Sequence, residues 1–481
     1  MDEIRPEFLK ALDVVGLCWL TRLCNIAWTS GAVPLDRQTG VVVPLFKKGG
    51  HRVCSNYRGI TLLSLPGKVY SGVLERRVRR IVEPQILEEQ CGFRPGRGTL
   101  DQLYTRRGIL EGAWEFAQPV YMCFVDLEKA FDRVPRGALW GLLREYGVPG
   151  PLIRAVRSLY DRCQSLVRIA GSKSSSFPVR VGLRQGCPLS PIQFITFMDR
   201  ISRRSQGVEG ICFGGLRIRS LLFADDVASS ERDLQLSLEQ FAAECEAAGM
   251  RISSSKSETM VLIQKSVECI LRARDEILPQ VEEFKYLGVL FTSEGRLERE
   301  IDRRIGAASA VMLALYRSVV VKRELSQKAM LSIYRSIYVP TLTYGHELWV
   351  VTERTRLRIQ AAKMSFLRRV AGLSLRHRVR SSVIGEGLGV DPLLLHIERS
   401  QSRWLGHLIR MPPGRLPGEV FWARPTGRRP KGRPRICWTD YVSHLARKCL
   451  GIPPEERAQV AGETEIWASR LRLLPLQPDS R

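Results

Sequence analysis

The sequence predicts an α+β fold: a split βαβ sheet with helices on one face, followed by a helical, basic remainder. Two apolar runs, residues 120–125 and 221–224, read as strands buried on both faces, because neither alternates polar with apolar positions. Segments of helical period separate and follow them, giving the order strand, helix, strand, strand, helix, strand over residues 120–263. The third observation is charge. The chain carries 74 Lys plus Arg against 49 Asp plus Glu, a net +25 in 481 residues, and residues 296–370 are both helical in pattern and basic.

Taken in order, residues 8–27 have helical spacing, with Gly31 and Pro34 beyond their end. Residues 40–46 read as a strand, followed by the turn-prone Lys47-Lys48-Gly49-Gly50. Residues 57–63 come next, then a basic helix over 66–82. Residues 91–98 form a glycine-rich loop with Arg94 and Arg97, without the GxxxxGK[ST] spacing of a phosphate loop. After the 120–125 strand, Leu139, Leu142, Leu143 and Tyr146 share a face of one helix, which Gly147 ends. Leu152, Ile153, Val156, Leu159 and Tyr160 share a face of the next.

Residues 165–170 and 177–181 flank a Gly-Ser-rich turn, the pattern of a hairpin. A helix over 191–202, a strand over 216–226, a helix over 234–248 stopped by Gly249, and a strand over 259–263 complete the sheet unit. Residues 283–290 add one more strand. Val311, Leu315, Leu331, Tyr334, Ile337 and Tyr338 supply apolar positions in the helical stretch, and residues 410–435, rich in Pro, Gly and Arg, read as a flexible basic linker.

A surplus of this size favours a polyanionic partner, and 44% hydrophobic content is too high for a disordered basic tail. The 12 cysteines are scattered without CxxC pairs, as expected of reduced, intracellular thiols, and the expected location of the chain is nucleus and cytoplasm. Cys437, His444 and Cys449 amount to part of a zinc knuckle whose first paired Cys is missing. No stretch reaches the roughly 18 apolar residues of a membrane span, and no signal peptide opens the chain.

The candidate chemistry lies at strand ends. Asp126 closes the first apolar run, and Asp225 and Asp226 close the second. An acid at the tip of a buried strand is costly unless it is paired or binds a cation. Adjacent acids repel, and a divalent cation is the commonest reason to place them together. Right-handed crossovers bring the two strands side by side, so the three carboxylates converge. Such a set can hold two Mg²⁺ ions about 3.5–4 Å apart for in-line phosphoryl transfer.

Asp126 with Phe131 and Asp132, then Gly182-Leu183-Arg184-Gln185-Gly186-Cys187-Pro188-Leu189-Ser190-Pro191, then Phe223-Ala224-Asp225-Asp226, resemble the successive palm motifs of a reverse transcriptase. The match is to the enzyme of non-LTR (LINE-like) retrotransposons. The resemblance implies a right-hand polymerase: a helical lead-in at 1–25, fingers and ferredoxin-like palm at 26–292, a helical thumb at 293–372 and a basic C-terminal extension at 373–481. It implies an RNA-directed DNA polymerase, a nucleotidyltransferase, whose partners are an RNA template, a DNA primer or target and deoxynucleoside triphosphates, with no membrane.

By the same resemblance, Asp126, Asp225 and Asp226 are the catalytic and metal-holding residues, for two Mg²⁺ ions that Mn²⁺ can replace. Arg58, Phe131, Gln185, Gly186 and Lys256 border the nucleotide, with the Phe131 ring excluding a 2′-hydroxyl. Asp132 fixes structure, the 91–98 loop meets the template, and Leu287 and Gly288 grip the primer. The competing reading is a catalytically inactive, retroelement-derived nucleic-acid-binding protein. One departure bears on that choice: only Val227 and Ala228 follow the paired acids before Ser229-Ser230-Glu231, so the strand beyond them is expected to be short and activity weak.

Overall fold

The computed structural model describes residues 4–472 apart from 206–209, 219, 222–224, 229, 264–266, 316–324, 424–426, 428 and 433–434. At residues 220–221 and 225–228 it describes backbone pairing alone. Helix α1 (Val14–Ser30) is opened by Asp13, whose carboxylate accepts from the Gly16 amide at 2.8 Å, and is closed by Gly31 in the left-handed region. The cap at Asp13 separates α1 from a short helix at Pro6–Lys10, so the expected 8–27 helix is two.

Three consecutive valines favour an extended backbone, and β1 (Thr39–Phe46) pairs antiparallel with β2 (Tyr57–Leu62). The basic helix follows as α2 (Leu65–Val82), with Ser64 capping it through the Gly67 amide. Helix α3 (Thr99–Glu115) has no apolar stripe, since Asp101, Gln102, Thr105, Arg106 and Arg107 are buried along with its leucines. Strand β3 (Val120–Phe124) comes next, then α4 (Arg136–Glu145), α5 (Gly150–Ser158) and β4 (Gln164–Ile169). The apolar faces expected of α4 and α5 are buried.

The antiparallel pairing expected between 165–170 and 177–181 is present but only two residues long. β4 runs parallel to β1, in the sheet that also holds β2, and its antiparallel neighbours are two-residue pieces at Ser172–Lys173 and Phe177–Pro178. Pro178 lacks the N–H to extend such a ladder.

The palm unit continues with α6 (Ser190–Arg204), β5 (Ser220–Leu221), β6 (Asp225–Ala228), α7 (Glu231–Ala247) and β7 (Glu258–Leu262). Its sheet has the order β7-β3-β6-β5, with β3 antiparallel to both β6 and β7. That is the split βαβ arrangement expected from the element order. Residues 216–226 are not one strand, however. Leu216–Ile218 pairs with Ile211–Phe213, while Asp225 and Asp226 pair back on Leu221 and Ser220. The two acids therefore begin β6 instead of ending the strand before it.

The sheet is covered on both faces, not one. Alternate residues of a strand face opposite ways, and Cys123 and Val261 join a core with α2, α4, α5, α6 and α7. Val120, Met122, Phe124, Met260 and Leu262 join a second core with α3 and with helices near the C-terminus. The latter are α10 (Leu393–Ile409), α11 (Leu416–Trp422) and α12 (Trp438–Leu450).

Between these parts lie a hairpin, β8 (Glu283–Tyr286) and β9 (Val289–Thr292), where a single strand was expected, and helices α8 (Glu298–Leu315) and α9 (Glu353–Val370). Helices α8 and α9 enclose a third core, in which Tyr334 and Tyr338 are buried while Ile337 is exposed. Among the described residues no helix is long and apolar enough to cross a membrane.

Residues 410–435 are not a free linker. Arg415 pairs with Glu88 and Asp101, Arg429 with Glu115, and Arg435 donates to the Glu294 carbonyl at 2.7 Å beneath the Trp114 ring. Cys437 and Cys449 stand at opposite ends of α12, separated by roughly 18 Å at 1.5 Å rise per residue, so they do not converge with His444 on a metal. Burial and the carboxylates of Glu111 and Glu115 push the Cys437 thiol up to about 12, which keeps it protonated.

Candidate active site

The end of β3 is fixed by a second rail. Beyond Phe124 the chain leaves the ladder, and residues 251–257 take up its backbone groups. The Ser253 amide donates to the Asp126 carbonyl at 2.8 Å, and the Asp126 amide donates to Ser257 Oγ at 3.1 Å. The Ser257 hydroxyl donates to the Ser253 carbonyl at 2.8 Å, and the Glu128 amide donates to the Arg251 carbonyl at 2.9 Å. Asp126 is thereby held by its backbone while its side chain stays about half exposed.

Lys256, on this rail, places its Nζ 3.5 Å from Asp126 Oδ2. Its sequence expectation was a contact with a triphosphate; here it faces a carboxylate. Both side chains are largely solvated, so the pair contributes little to stability.

The register brings the second acidic site alongside. Asp225 lies opposite Phe124 and Asp226 opposite Cys123, so Asp225 holds the same parity along the ladder as Asp126, two positions further on. Phe223 and Ala224, and the side chains of Asp225 and Asp226, lie outside the described residues. Among the described residues no group of three His, Cys, Asp or Glu side chains gathers as a metal site. The chemistry of the donors does suit a divalent cation. Asp126 offers hard carboxylate oxygens with unused lone pairs at an open strand end, beside a backbone that carries two more acids.

Next to Asp126, residues 131–134 and 182–185 are laced together. Leu183 N donates to the Phe131 carbonyl at 2.8 Å and Gly182 N to the Val134 carbonyl at 3.0 Å. A Cβ on Gly182 would sit 2.6 Å from the Asp132 carbonyl oxygen, and its φ of 82° is itself a glycine conformation. Gln185 Nε2 donates to Asp132 Oδ1 at 3.2 Å, which orients the carboxamide. Phe131 is half-buried, its ring stacked on Phe194 with centroids 4.4 Å apart and edge-on to Phe93.

Gly186 allows a close approach, but to protein. A Cβ there would lie 2.9 Å from the Thr61 carbonyl of β2, so this glycine lets its loop pack against that strand. Arg58, three residues before Thr61 on β2, is exposed.

The loop at 91–98 does not hold its arginines out for a template. Arg94 is buried and donates to the carbonyls of Leu87 and Gln90 at 2.8 and 2.9 Å, and Arg97 pairs with Glu88. Two positioning residues escaped the sequence reading. Arg136 donates to the carbonyls of Val179 and Gly182 at 2.7 and 3.0 Å, clamping the 177–182 segment. Ser257 was hidden in a run of serines whose partners lie 131 residues away. The apolar-periodicity signal carries no information on either.

The family model described as reverse transcriptase (RNA-dependent DNA polymerase) matches residues 46–291 of this chain. A 149 kDa protein of transposon TX1 from Xenopus laevis is 29% identical over 304 residues, which is 61% of this chain and 23% of that one. A probable RNA-directed DNA polymerase from transposon X-element of Drosophila melanogaster is 25% identical over 450 residues, 90% of this chain and 48% of its own length. The Pol polyprotein of the type-2 retrotransposable element R2DM, from the same organism, is 25% identical over 472 residues, 94% and 42% respectively. The chain thus spans about half or less of the length of each of these relatives.

Proposed function

Because the chain belongs to the reverse transcriptase (RNA-dependent DNA polymerase) family, we propose that it extends a DNA primer along an RNA template for a non-LTR retrotransposon. The observation that carries this is the pairing of β6 with β3, which sets the backbone of Asp225 and Asp226 beside the strand leading to Asp126. Asp126 and Asp225 would hold divalent cations, two Mg²⁺ or Mn²⁺ in their place, with Asp226 nearer the primer terminus. When bound, the cations supply Lewis acidity at the reacting phosphoryl group.

The chain's own residues do the rest. Asp126 is held through its backbone by the 251–257 rail, which fixes where its side chain leaves the end of the strand. Lys256, now 3.5 Å from Asp126 Oδ2 on an exposed side chain, would be the cation on this rail to meet the nucleotide phosphates. Gln185, steered by Asp132, borders the base, and Arg58 reaches the triphosphate from β2. Primer extension on an RNA template with Mg²⁺, repeated with Mn²⁺, tests the reading. Nucleic-acid binding without extension under either ion would replace it by that of a silent binding protein.

Phe131 carries the choice of sugar. Phe131→Ala or Val removes the ring, opens room for a 2′-hydroxyl and should lower discrimination between dGTP and rGTP by about 10–100-fold, the scale of a lost steric contact. If the ratio of the two incorporation rates stays at its wild-type value, Phe131 belongs to the stack with Phe194 alone.

One observation favours a weak enzyme. β6 has only Val227 and Ala228 beyond its acids, and α7 begins at Glu231, with the Ser230 hydroxyl accepting from the Asp233 amide at 3.1 Å. β7 pairs along β3 as far as Val120, whereas β6 stops at Tyr121. Only two ladder positions beyond the acids then tie β6 to β3, and a misplacement of about 1 Å can cost on the order of a hundredfold in rate. Inserting two apolar residues after Val227 keeps the alternation of the strand and should raise the extension rate about tenfold or more. Equal rates for the native and lengthened chains would dismiss the idea.

A further inference from the structure

The turn between β8 and β9 is gripped from outside the sheet by a cluster of charges on α8. We infer that this cluster positions the turn to receive the phosphodiester backbone at the recessed end of a nucleic-acid strand. The inference rests on the reading of Leu287 and Gly288 as the residues that hold a primer end, and adds what fixes them.

Leu287 and Gly288 have φ of 45° and 85°, the two successive left-handed residues of a tight hairpin turn. Both of their carbonyls are taken by groups beyond the sheet. Tyr344 Oη donates to the Leu287 carbonyl at 2.8 Å, and Arg303 Nη2 donates to the Gly288 carbonyl at 2.7 Å, joined there by Arg304. Each guanidinium also returns to Glu300, Arg303 Nε at 2.8 Å and Arg304 Nε at 2.6 Å. Glu300 is fully buried and accepts from the Leu290 amide of β9 at 2.9 Å, so the carboxylate touches helix and hairpin at once. The Arg304 guanidinium lies 4.6 Å from the centre of the Tyr344 ring. The φ of Gly288 calls for glycine, and a Cβ there would stand 3.3 Å from that same ring, which would have to give slightly.

Two consequences follow from the charges. A buried carboxylate with two guanidiniums and an amide is well satisfied, which makes the network rigid. One carboxylate against two guanidiniums also leaves a surplus of one positive charge. The surplus falls on Arg303, whose side chain is 31% exposed against 11% for Arg304. Among the described residues the amides of Leu287 and Gly288 donate to no protein group. The turn therefore offers two N–H donors beside a partly open guanidinium, and a phosphate oxygen complements that set. Because Glu300, Arg303 and Arg304 all stand on α8, this helix cannot shift without moving the turn.

The test uses the full chain with two variants. Tyr344→Phe removes one hydrogen bond to the turn from an exposed site, and Arg303→Gln removes the surplus charge while Arg304 and Leu290 still satisfy Glu300. Fluorescence anisotropy compares an RNA–DNA hybrid with a recessed DNA 3′ end against a blunt hybrid of equal length. The wild type should prefer the recessed end, and each variant should lose about fivefold of that preference, the scale of one hydrogen bond. Arg303→Lys should retain part of it. In primer extension the same variants should raise KM for primer–template about as much and leave KM for the nucleotide unchanged, a split that general destabilisation does not produce.

A wild-type chain without end preference, or folded variants that keep the wild-type ratio, would overturn the inference. The binding arm needs no catalysis, so a chain that prefers recessed ends but never extends them fails the proposed function and not this one.

Discussion

Asp126→Asn and Asp225→Asn should each reduce primer extension by about a thousandfold or more, with RNA affinity within about twofold of the native chain. Each change keeps the side chain's size and removes one negative charge and one hard oxygen ligand. Stabilisation of a reacting phosphoryl group by a bound cation amounts to several kcal/mol, and each 1.36 kcal/mol is a factor of ten in rate. RNA affinity should barely move, because it comes from a surplus of 25 positive charges spread over the chain. The backbone of Asp126 makes the contacts to Ser253 and Ser257, so the rail survives the loss of its carboxylate. Asp132→Asn is the control. Its carboxylate orients Gln185, and a carboxamide can still accept from Gln185 Nε2, so a loss under about tenfold is expected. Wild-type extension by Asp126→Asn or Asp225→Asn would remove the assignment of these acids.

The part of this site that could be read from residues is the part written in short-range pattern. The 120–125 run is apolar because β3 is covered on both faces, and Asp126 stands out because the cover stops there. The adjacency of the acidic site to β3 was expected from the order of elements, but the right-handed crossover invoked for it governs parallel strands, and β6 runs antiparallel to β3. None of Leu222-Phe223-Ala224 is a residue that ordinarily marks a turn, and the reversal was expected at the acids themselves; Asp225 and Asp226 instead pair back on Leu221 and Ser220, on the returning strand. The hairpin at 283–292 was missed for a similar reason, as its first turn residue is Leu287 at a φ of 45°, a conformation seldom adopted by leucine.

Helix α3 shows the limit most clearly. Its buried residues mix polar and charged side chains with apolar ones, so no amphipathic stripe announces it. Arg106 is buried because Phe124, Tyr286 and Phe291 surround its guanidinium at 4.2–5.5 Å. Arg107 is buried because the Leu348 carbonyl and Glu111 receive it. Partners so far away in sequence leave no local signal. The same holds for Arg415, Arg429 and Arg435, which look like a solvated basic tract until α3 supplies their acids and its Trp114 ring.

Trp438→Ala should destabilise the chain by about 3–5 kcal/mol, the scale of emptying a buried aromatic site, and the loss should reach β3. Trp438 is 1% exposed and opens α12. Its ring meets that of Tyr104 on α3 edge-on, with centroids 5.1 Å apart, and its Nε1 donates to the Glu347 carbonyl at 2.7 Å. Its amide donates to the Glu111 carboxylate, which also receives Arg107. The residue thus ties α12 to α3 and to the segment before α9, and the core it fills contains Met122 and Phe124 of β3. Alanine would leave a cavity, an unpaired carbonyl and one side of Tyr104 bare. Hydrogen exchange of the β3 amides, followed beside a denaturant titration, measures both effects. Trp422→Ala, at a tryptophan 59% exposed in the same C-terminal region, should change stability by no more than about 0.5 kcal/mol. If Trp438→Ala loosened α12 while β3 kept its protection, the C-terminal helices would be an appendage, and the strand that leads to Asp126 would owe its cover on that face to α3 and the β8–β9 hairpin.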